Sequence, residues 1–340
     1  ATPGVLQHPA NSSNIPVLGI SGNAMIDSAS MVSLYGLGFP AATGPGAGQS
    51  RSYTYPDAHS AGGGSHGGKA GYGLTNGVIE GSGGLAYGNS FDPTTKGSGG
   101  GNGDSLPGGA GGGAIVFNVT GTMTLNGRIS AGGVGGIANQ YGASGGGAGG
   151  SINITAGTFA GSGRLDANGT SGGGVWGSLT AGSGSGGRIL VRASTITFTN
   201  FADVSVDPGT EGYGGKEYGT AAFITTKGTP STLDDEIRVV DGWHWNFGEG
   251  SGGTGTFTYE DILSQNATVY GESGVHFTIG DTVVLQNSNW YGPTQSLMTI
   301  TSANSVNLTS NSRIQVGNLT VTANTMTIDA GSSINGTGTG

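Results

Sequence analysis

The sequence predicts an all-β chain: a parallel β-helix, or solenoid, carrying long Gly-rich loops. Three observations lead there. A unit of three short strands recurs at a 37-residue step. Apolar residues inside the strands alternate with a period of two, as in Ile152/Ile154 and Ile196/Phe198. No stretch sustains the 3.6-residue apolar period of an amphipathic helix.

The repeat is read from three openings: Gly112-Gly113-Ala114-Ile115, Gly149-Gly150-Ser151-Ile152 and Gly186-Gly187-Arg188-Ile189. Ile115 to Ile152 and Ile152 to Ile189 are each 37 residues apart, and Thr220–Thr225 reads as a drifting fourth copy. A second strand follows in each copy, at Thr122-Met123-Thr124-Leu125, Thr158-Phe159 and Thr195-Ile196-Thr197-Phe198. A third follows at Arg128-Ile129-Ser130, Arg164-Leu165-Asp166 and 203–206. Three strands per unit, repeated, predict coils that stack inward side chains into a narrow apolar column. A β-sandwich with the same strand count is the plain alternative. Further strands are expected at 267–270, 275–279, 282–285, 297–300, 305–308, 313–316, 319–321 and 326–328, in less regular coils. The chain is therefore divided into an N-terminal extension (1–22), a Gly-rich repeat region (23–228) and a C-terminal region (229–340). The extension reads as either a donor strand or a disordered tail.

Glycine supplies 75 of 340 residues, concentrated in loops 61–73, 97–113, 131–150 and 171–187. Each Gly in regular structure costs roughly 0.5–1 kcal/mol against Ala. Runs such as Gly145-Gly146-Gly147-Ala148-Gly149-Gly150 therefore need a return. Two readings stay open. In one the loops are flexible linkers. In the other they pack side by side as polyglycine-II strands, where only Gly permits close approach.

The motifs Gly62-Gly63-Gly64-Ser65-His66-Gly67-Gly68, Gly111-Gly112-Gly113-Ala114-Ile115 and Gly145–Ile152 resemble Gly-rich repeats of very large bacterial secreted and surface proteins, adhesin-like in kind. The match covers about 24–206 and returns at 324–340. The resemblance implies a β-helical architecture and a place outside the cell. It says nearly nothing of activity. Right-handed β-helices also include polysaccharide lyases and phage depolymerases, so a carbohydrate-active protein or glycan-binding module is the second expectation. The ends of the chain are related: Asn324-Thr325-Met326-Thr327-Ile328-Asp329 resembles Asn23-Ala24-Met25-Ile26-Asp27. This suggests end-to-end self-association into a filament, or one stretch of a long stalk.

Composition excludes several classes. Eleven Lys and Arg against 20 Asp and Glu give a net charge of −9, which provides no basic face for nucleic acid. Cysteine is absent, so disulfide and Cys-zinc scaffolds are excluded. No 18-residue apolar run exists, so membrane insertion is not expected. A Cys-free, Ser/Thr/Asn-rich chain suits an extracellular or cell-surface location, and Ala1-Thr2-Pro3-Gly4 is compatible with a processed start.

Candidate chemistry is sparse. Gly182–Gly187 fits a dinucleotide-loop pattern, but it precedes a strand where that site needs a helix. Calcium is weighed at Gly100–Leu106, near a β-roll nonapeptide, and at Asp234-Asp235-Glu236. No other cofactor is expected. Asp166, Asp203 and Asp207 are the carboxylates a glycosidase would pair. Arg188 and Arg192, with Lys216 and Tyr218, are the groups a lyase would use; solvated decoration of a strand is their plainer role. His66 is expected to pin a Gly loop by a side-chain hydrogen bond. No catalytic residue is assigned. Trp243, Trp245 and Phe247 share one face of a strand, for glycan stacking, subunit contact or capping of the column. Eight glycosylation sequons start at Asn11, Asn118, Asn153, Asn168, Asn266, Asn307, Asn318 and Asn335, with Asn118 and Asn153 expected to face solvent.

Overall fold

The computed structural model describes residues 4–10, 14–52, 58–174, 179–210, 216–250, 253–295 and 297–336. The chain is almost entirely β, with parallel sheets and, among the described residues, no α-helix. It divides into two compact units, residues 1–190 with 197–220 and residues 191–196 with 221–340.

The first unit contains β1 (Val5–Leu6), β2 (Val17–Ile20), β3 (Ala24–Ile26), β4 (Met31–Ser33), β5 (His59–Ser60), β6 (Leu74–Thr75), β7 (Val78–Ile79), β8 (Ala114–Leu125), β9 (Arg128–Ser130), β10 (Ala138–Asn139), β11 (Gly142–Ala143), β12 (Ser151–Gly161), β13 (Arg164–Asp166), β14 (Leu179–Thr180), the two ends of β15 (Arg188–Phe198) and β16 (Val204–Ser205). β8 and β12 pair in parallel with Ile115 opposite Ile152, which is the 37-residue step read from the sequence. β9 and β13 pair likewise, Ile129 opposite Leu165. Ile115, Met123, Ile129, Ile152, Phe159 and Leu165 are buried, so the period-two alternation does mark the core face. Among its described residues the N-terminal extension holds two paired strands. β1 pairs in parallel with β4, and β2 with the first half of β8. The disordered-tail reading is corrected, because Leu18 and Ile20 have apolar neighbours to cover in Phe117 and Val119.

The Gly-rich loops form an ordered array. In residues 144–150 the N–H groups of Ser144, Gly147 and Gly150 donate to Ile137, Val134 and Ala131. Those of Gly145 and Ala148 donate to Gly101 and Ser98, and those of Gly146 and Gly149 to Gly182 and Ser185. The acceptor segment thus changes with each residue and recurs with every third. Carbonyls of the same stretch accept from Gly109 and Gly112, from Thr170 and Gly173, and from Gly64. Seven residues are bonded to six other segments, whereas a β-strand addresses two. A Cβ on Gly147 would stand 2.0 Å from Ala110 O, and one on Gly150 1.8 Å from Gly113 O. The flexible-linker reading is corrected: these backbones approach closer than any side chain allows.

The second unit contains the rest of β15, then β17 (Thr220–Thr225), β18 (Glu236–Trp245), β19 (Thr256–Tyr259), β20 (Asp261–Gly271), β21 (Val275–Ile279), β22 (Thr282–Gln286), β23 (Asn289–Tyr291), β24 (Leu297–Ser302), β25 (Ser305–Thr309), β26 (Arg313–Val316), β27 (Asn318–Thr322), β28 (Thr325–Ile328) and β29 (Ser333–Gly336). Three parallel ladders organise it. β20 carries β22, β25 and β28 on its first half, and β23, β26 and β29 on its second. The third runs β19, β21, β24, β27. The steps are short and vary by a few residues, as Val283 to Val306 (23 residues), Met298 to Leu319 (21 residues) and Ser305 to Thr325 (20 residues). No Gly excursion interrupts these layers, so each needs only its three strands and their corners.

The corners are chemically marked. Asp241, Asn266, Asn287, Ser310 and Asn311 all have positive φ, a region where Asn and Asp are the most tolerant non-Gly residues. Asn287 Nδ2 donates to Asn266 Oδ1 at 2.8 Å, from one layer to the layer before. Ser288 Oγ accepts from Ala267 N, Ser312 Oγ from Ser288 N and Ser332 Oγ from Ser312 N, at 3.2, 3.1 and 3.0 Å. Buried backbone donors at the bends are satisfied in this way.

Candidate functional site

Two places in the first unit combine polar chemistry with a defined geometry. The first is buried. Residues 85–96 lie across the outward face of β12 and β15: Ser151 Oγ donates to Thr95 O at 2.6 Å, and Asn153 Nδ2 to Asp92 Oδ1 at 3.1 Å. Arg188 fastens the same segment. Its Nη2 and Nε donate to Tyr87 O at 2.9 and 3.2 Å, and its Nη1 donates to Ser90 Oγ. Arg188 is 2% exposed, so its expected solvated role is corrected: the cover segment removes water from that face.

His66 is fully buried beside this guanidinium. Its Nδ1 lies 2.9 Å from Gly149 O, and its Nε2 2.7 Å from Thr95 Oγ1. A carbonyl only accepts, so Nδ1 holds the proton and Nε2 accepts from the threonine hydroxyl. Burial, reinforced by the Arg188 charge, pulls the His66 pKa down to about 3. Burial also pushes the Tyr87 phenol up; its hydroxyl donates to Lys96 O and accepts from Ser98 Oγ at 2.9 Å. The imidazole is a neutral clamp between a Gly strand and its cover. It does not exchange protons near neutral pH.

The second place is open. His59 Nδ1 meets Glu80 Oε1 at 2.9 Å at the edge of a surface hollow of about 510 Å³, whose lining includes Arg51. Burial works to raise the Glu80 pKa. Hydrogen bonds from His59, Thr75 and Ser60 outweigh it and leave the carboxyl below its ordinary value. The same bonds anchor the β6–β7 hairpin. Sequence spacing did not reveal this pair, because 21 residues and a hairpin separate its members.

The other expected residues fall apart as a site. Trp243 and Trp245 do share one face, but it is the inner one, and both are 0% exposed. Trp245 packs edge-on against Phe257 and Phe277 at 4.7 and 5.0 Å. Phe247 leaves the strand in a short 3-10 turn and is 40% exposed. The three cannot form a sugar-stacking row. Asp166 is buried under Arg128, whose Nε and Nη2 reach its two oxygens at 2.6 and 3.0 Å. Asp203 accepts from Asn200, and Asp207 from Ser205. Each carboxylate is engaged by neighbouring side chains: Asp166 by Arg128 and Ser130, Asp203 by Asn200 and Asp207 by Ser205. At the calcium candidates, Asn102 Oδ1 accepts from Gly108 N and Asp234 accepts from Thr229 Oγ1. Among the described residues no group of three acidic or His side chains is placed to hold a metal.

Of the sequons, Asn11 lies outside the described residues. Asn118, Asn266, Asn318 and Asn335 are exposed, and Asn307 is half-buried. Asn168 is half-buried, its Oδ1 held by Ser205 Oγ and Asp207 N. Asn153 is 7% exposed beneath the cover segment, which corrects its expected solvent position.

The remaining feature is a pair of sheet edges. Among the described residues β1 pairs only with β4, and β2 and β3 only with β8. Val5, Val17 and Met25 are 59%, 59% and 70% exposed there, and Val5 and Met25 line a hollow of about 370 Å³. In the second unit β27, β28 and β29 each have one neighbour, and Met326 and Ile328 are 41% and 46% exposed. Unpaired backbone with apolar side chains is what a further strand needs. The chain matches no protein-family model, no curated protein and no solved structure at a significant level.

Proposed function

We propose that the chain is an extracellular structural protein: a parallel β-helix braced by a polyglycine-II array, which stacks head to tail into a filament or stalk. The observation that carries this is the three-residue rotation of hydrogen-bond partners in the Gly segments. A helix of three residues per turn, with no internal bonds, directs its backbone groups outward on three sides. Parallel ladders with recurring steps and inward apolar residues support the β-helix. The exposed edges of β1–β3 and β27–β29 support assembly with a second copy. The carbohydrate-active alternative has less support, since Trp243 and Trp245 are core residues and Asp166 is neutralised by Arg128.

Negative-stain imaging and sedimentation of the intact chain test the proposal. Unbranched rods that lengthen with protein concentration are expected. A monodisperse monomer at all concentrations refutes assembly.

A further inference from the structure

The second unit presents a regular grid of threonines. Its third ladder, β19, β21, β24 and β27, is parallel throughout, and no register shift interrupts it. The pairs β8–β12 and β18–β20 each contain such a shift. On the inner side Phe257, Phe277 and Ile300 lie in register and are buried. On the outer side the same register builds two rows. One is Thr256, His276, Thr299 and Thr320; the other is Thr258, Thr278, Thr301 and Thr322. Seven of these eight positions are Thr, and none carries a formal charge at neutral pH with His neutral. His276, Thr278, Thr301, Thr320 and Thr322 are exposed, and Thr256, Thr258 and Thr299 half-buried.

Threonine is a common strand residue, so its abundance alone decides nothing. The bonding does distinguish this face. On another outward face of the unit, polar side chains bond one another: Gln265 Nε2 donates to Gln286 Oε1 at 3.2 Å, Thr282 Oγ1 to Asp261 Oδ1, and Asn307 Nδ2 to Ser305 Oγ at 2.9 Å. In the grid Thr256 Oγ1 accepts from Thr254, and among the described residues the other six threonine hydroxyls make no hydrogen bond within the chain. A β-branched side chain is stiff at χ1, so hydroxyl and methyl are positioned before anything binds. Neighbouring strands lie about 4.8 Å apart, and alternate residues about 6.6 Å apart along a strand. Water bonded tetrahedrally at about 2.75 Å puts second-neighbour oxygens about 4.5 Å apart, and the axial repeat of hexagonal ice, eight-thirds of that bond, is about 7.3 Å. The mismatch accumulates to about 1 Å over four strands and about 0.7 Å between the rows, well short of one water–water bond. We infer that this grid holds water in an ice-like net and binds the surface of ice. A protein partner fits it poorly, because binding hot spots favour Trp, Tyr and Arg and are poor in Thr. A sugar ring finds no aromatic side chain on it but the His276 imidazole. The face lies within the second unit and needs no second copy of the chain.

The intact chain is tested against ice itself, by thermal hysteresis and by the shaping of a single ice crystal. T278Y/T301Y places two bulky rings in the middle of one row and should lose most of the hysteresis. Q315Y, outward on the ladder of β23, β26 and β29, is the matched control and should keep it. H276T completes the first row and should equal or exceed the wild type. Each variant is first shown to keep the wild-type circular dichroism and melting curve. Hysteresis that follows this order supports the inference. Wild-type protein that neither depresses the freezing point below the melting point nor shapes the crystal at millimolar concentration overturns it. Hysteresis that survives T278Y/T301Y, or that H276T lowers, overturns it as well. None of these results bears on assembly into filaments.

Discussion

Replacing Gly147 by Ala tests the array directly. The new Cβ would lie 2.0 Å from Ala110 O and 2.5 Å from its carbonyl carbon, where ordinary contact begins near 3.4 Å. Both atoms are main chain, so the segments must separate by more than 1 Å. Two bonds join these segments: Gly109 N to Gly145 O at 2.9 Å and Gly112 N to Ala148 O at 2.8 Å. Each buried bond left unmade costs about 1–3 kcal/mol, so the expected loss is about 2–6 kcal/mol. For a unit of this size that corresponds to a fall in melting temperature on the order of 10 °C. Gly135→Ala is the matched control. It lies in the same Gly-rich region, but its nearest neighbour to a Cβ is Ser171 O at 3.7 Å. Ala there should be neutral or stabilising by about 0.4–1 kcal/mol, through the unfolded chain. Thermal unfolding by circular dichroism, with hydrogen exchange of the Gly amides, reads the difference. Equal melting points for the two variants would refute the claim that backbone contact is what the glycines serve.

Acid should weaken the clamp at His66. Its native pKa, about 3, lies below the unfolded value of 6.5, so the unfolded chain binds the proton first. Its contribution is complete above pH 6.5 and is lost as pH falls toward 3, by about 5 kcal/mol in total. His66→Gln should flatten the slope of stability against pH across that window, measured as denaturant midpoints; an unchanged slope would contradict the assignment. Arg188→Met leaves Tyr87 O and Ser90 Oγ without the guanidinium, at a cost of about 3 kcal/mol. Arg188→Lys should rescue little, because an ammonium lacks the planar fork, and limited proteolysis within 85–96 should rise in both. Trp245→Ala should cost about 3–5 kcal/mol as a core truncation, and Phe247→Ala far less, both read as shifts in chemical unfolding.

The strands and the long step were legible because the core face imposes period two and the stacking imposes 37 residues. His66 was legible as a pin, since one imidazole amid glycines has few other partners. Arg188 was not, because its burial depends on residues 85–96, which are distant in sequence and carry no pattern. The same cover hid Asn153. Trp243 and Trp245 were placed on one face, but alternation alone does not say which face is inside. The corner residues Asn266 and Asn287 went unread as a stack because each layer has its own length.

The rotation of partners along residues 144–150 also constrains how such a chain can change length. Adding or removing one residue turns every later N–H toward the wrong neighbour, by a third of a revolution. A three-residue insertion restores the original facing and extends the bundle by one turn. Growth of these segments is therefore quantised in triplets of amino acids, and single-residue indels belong in the tips between them.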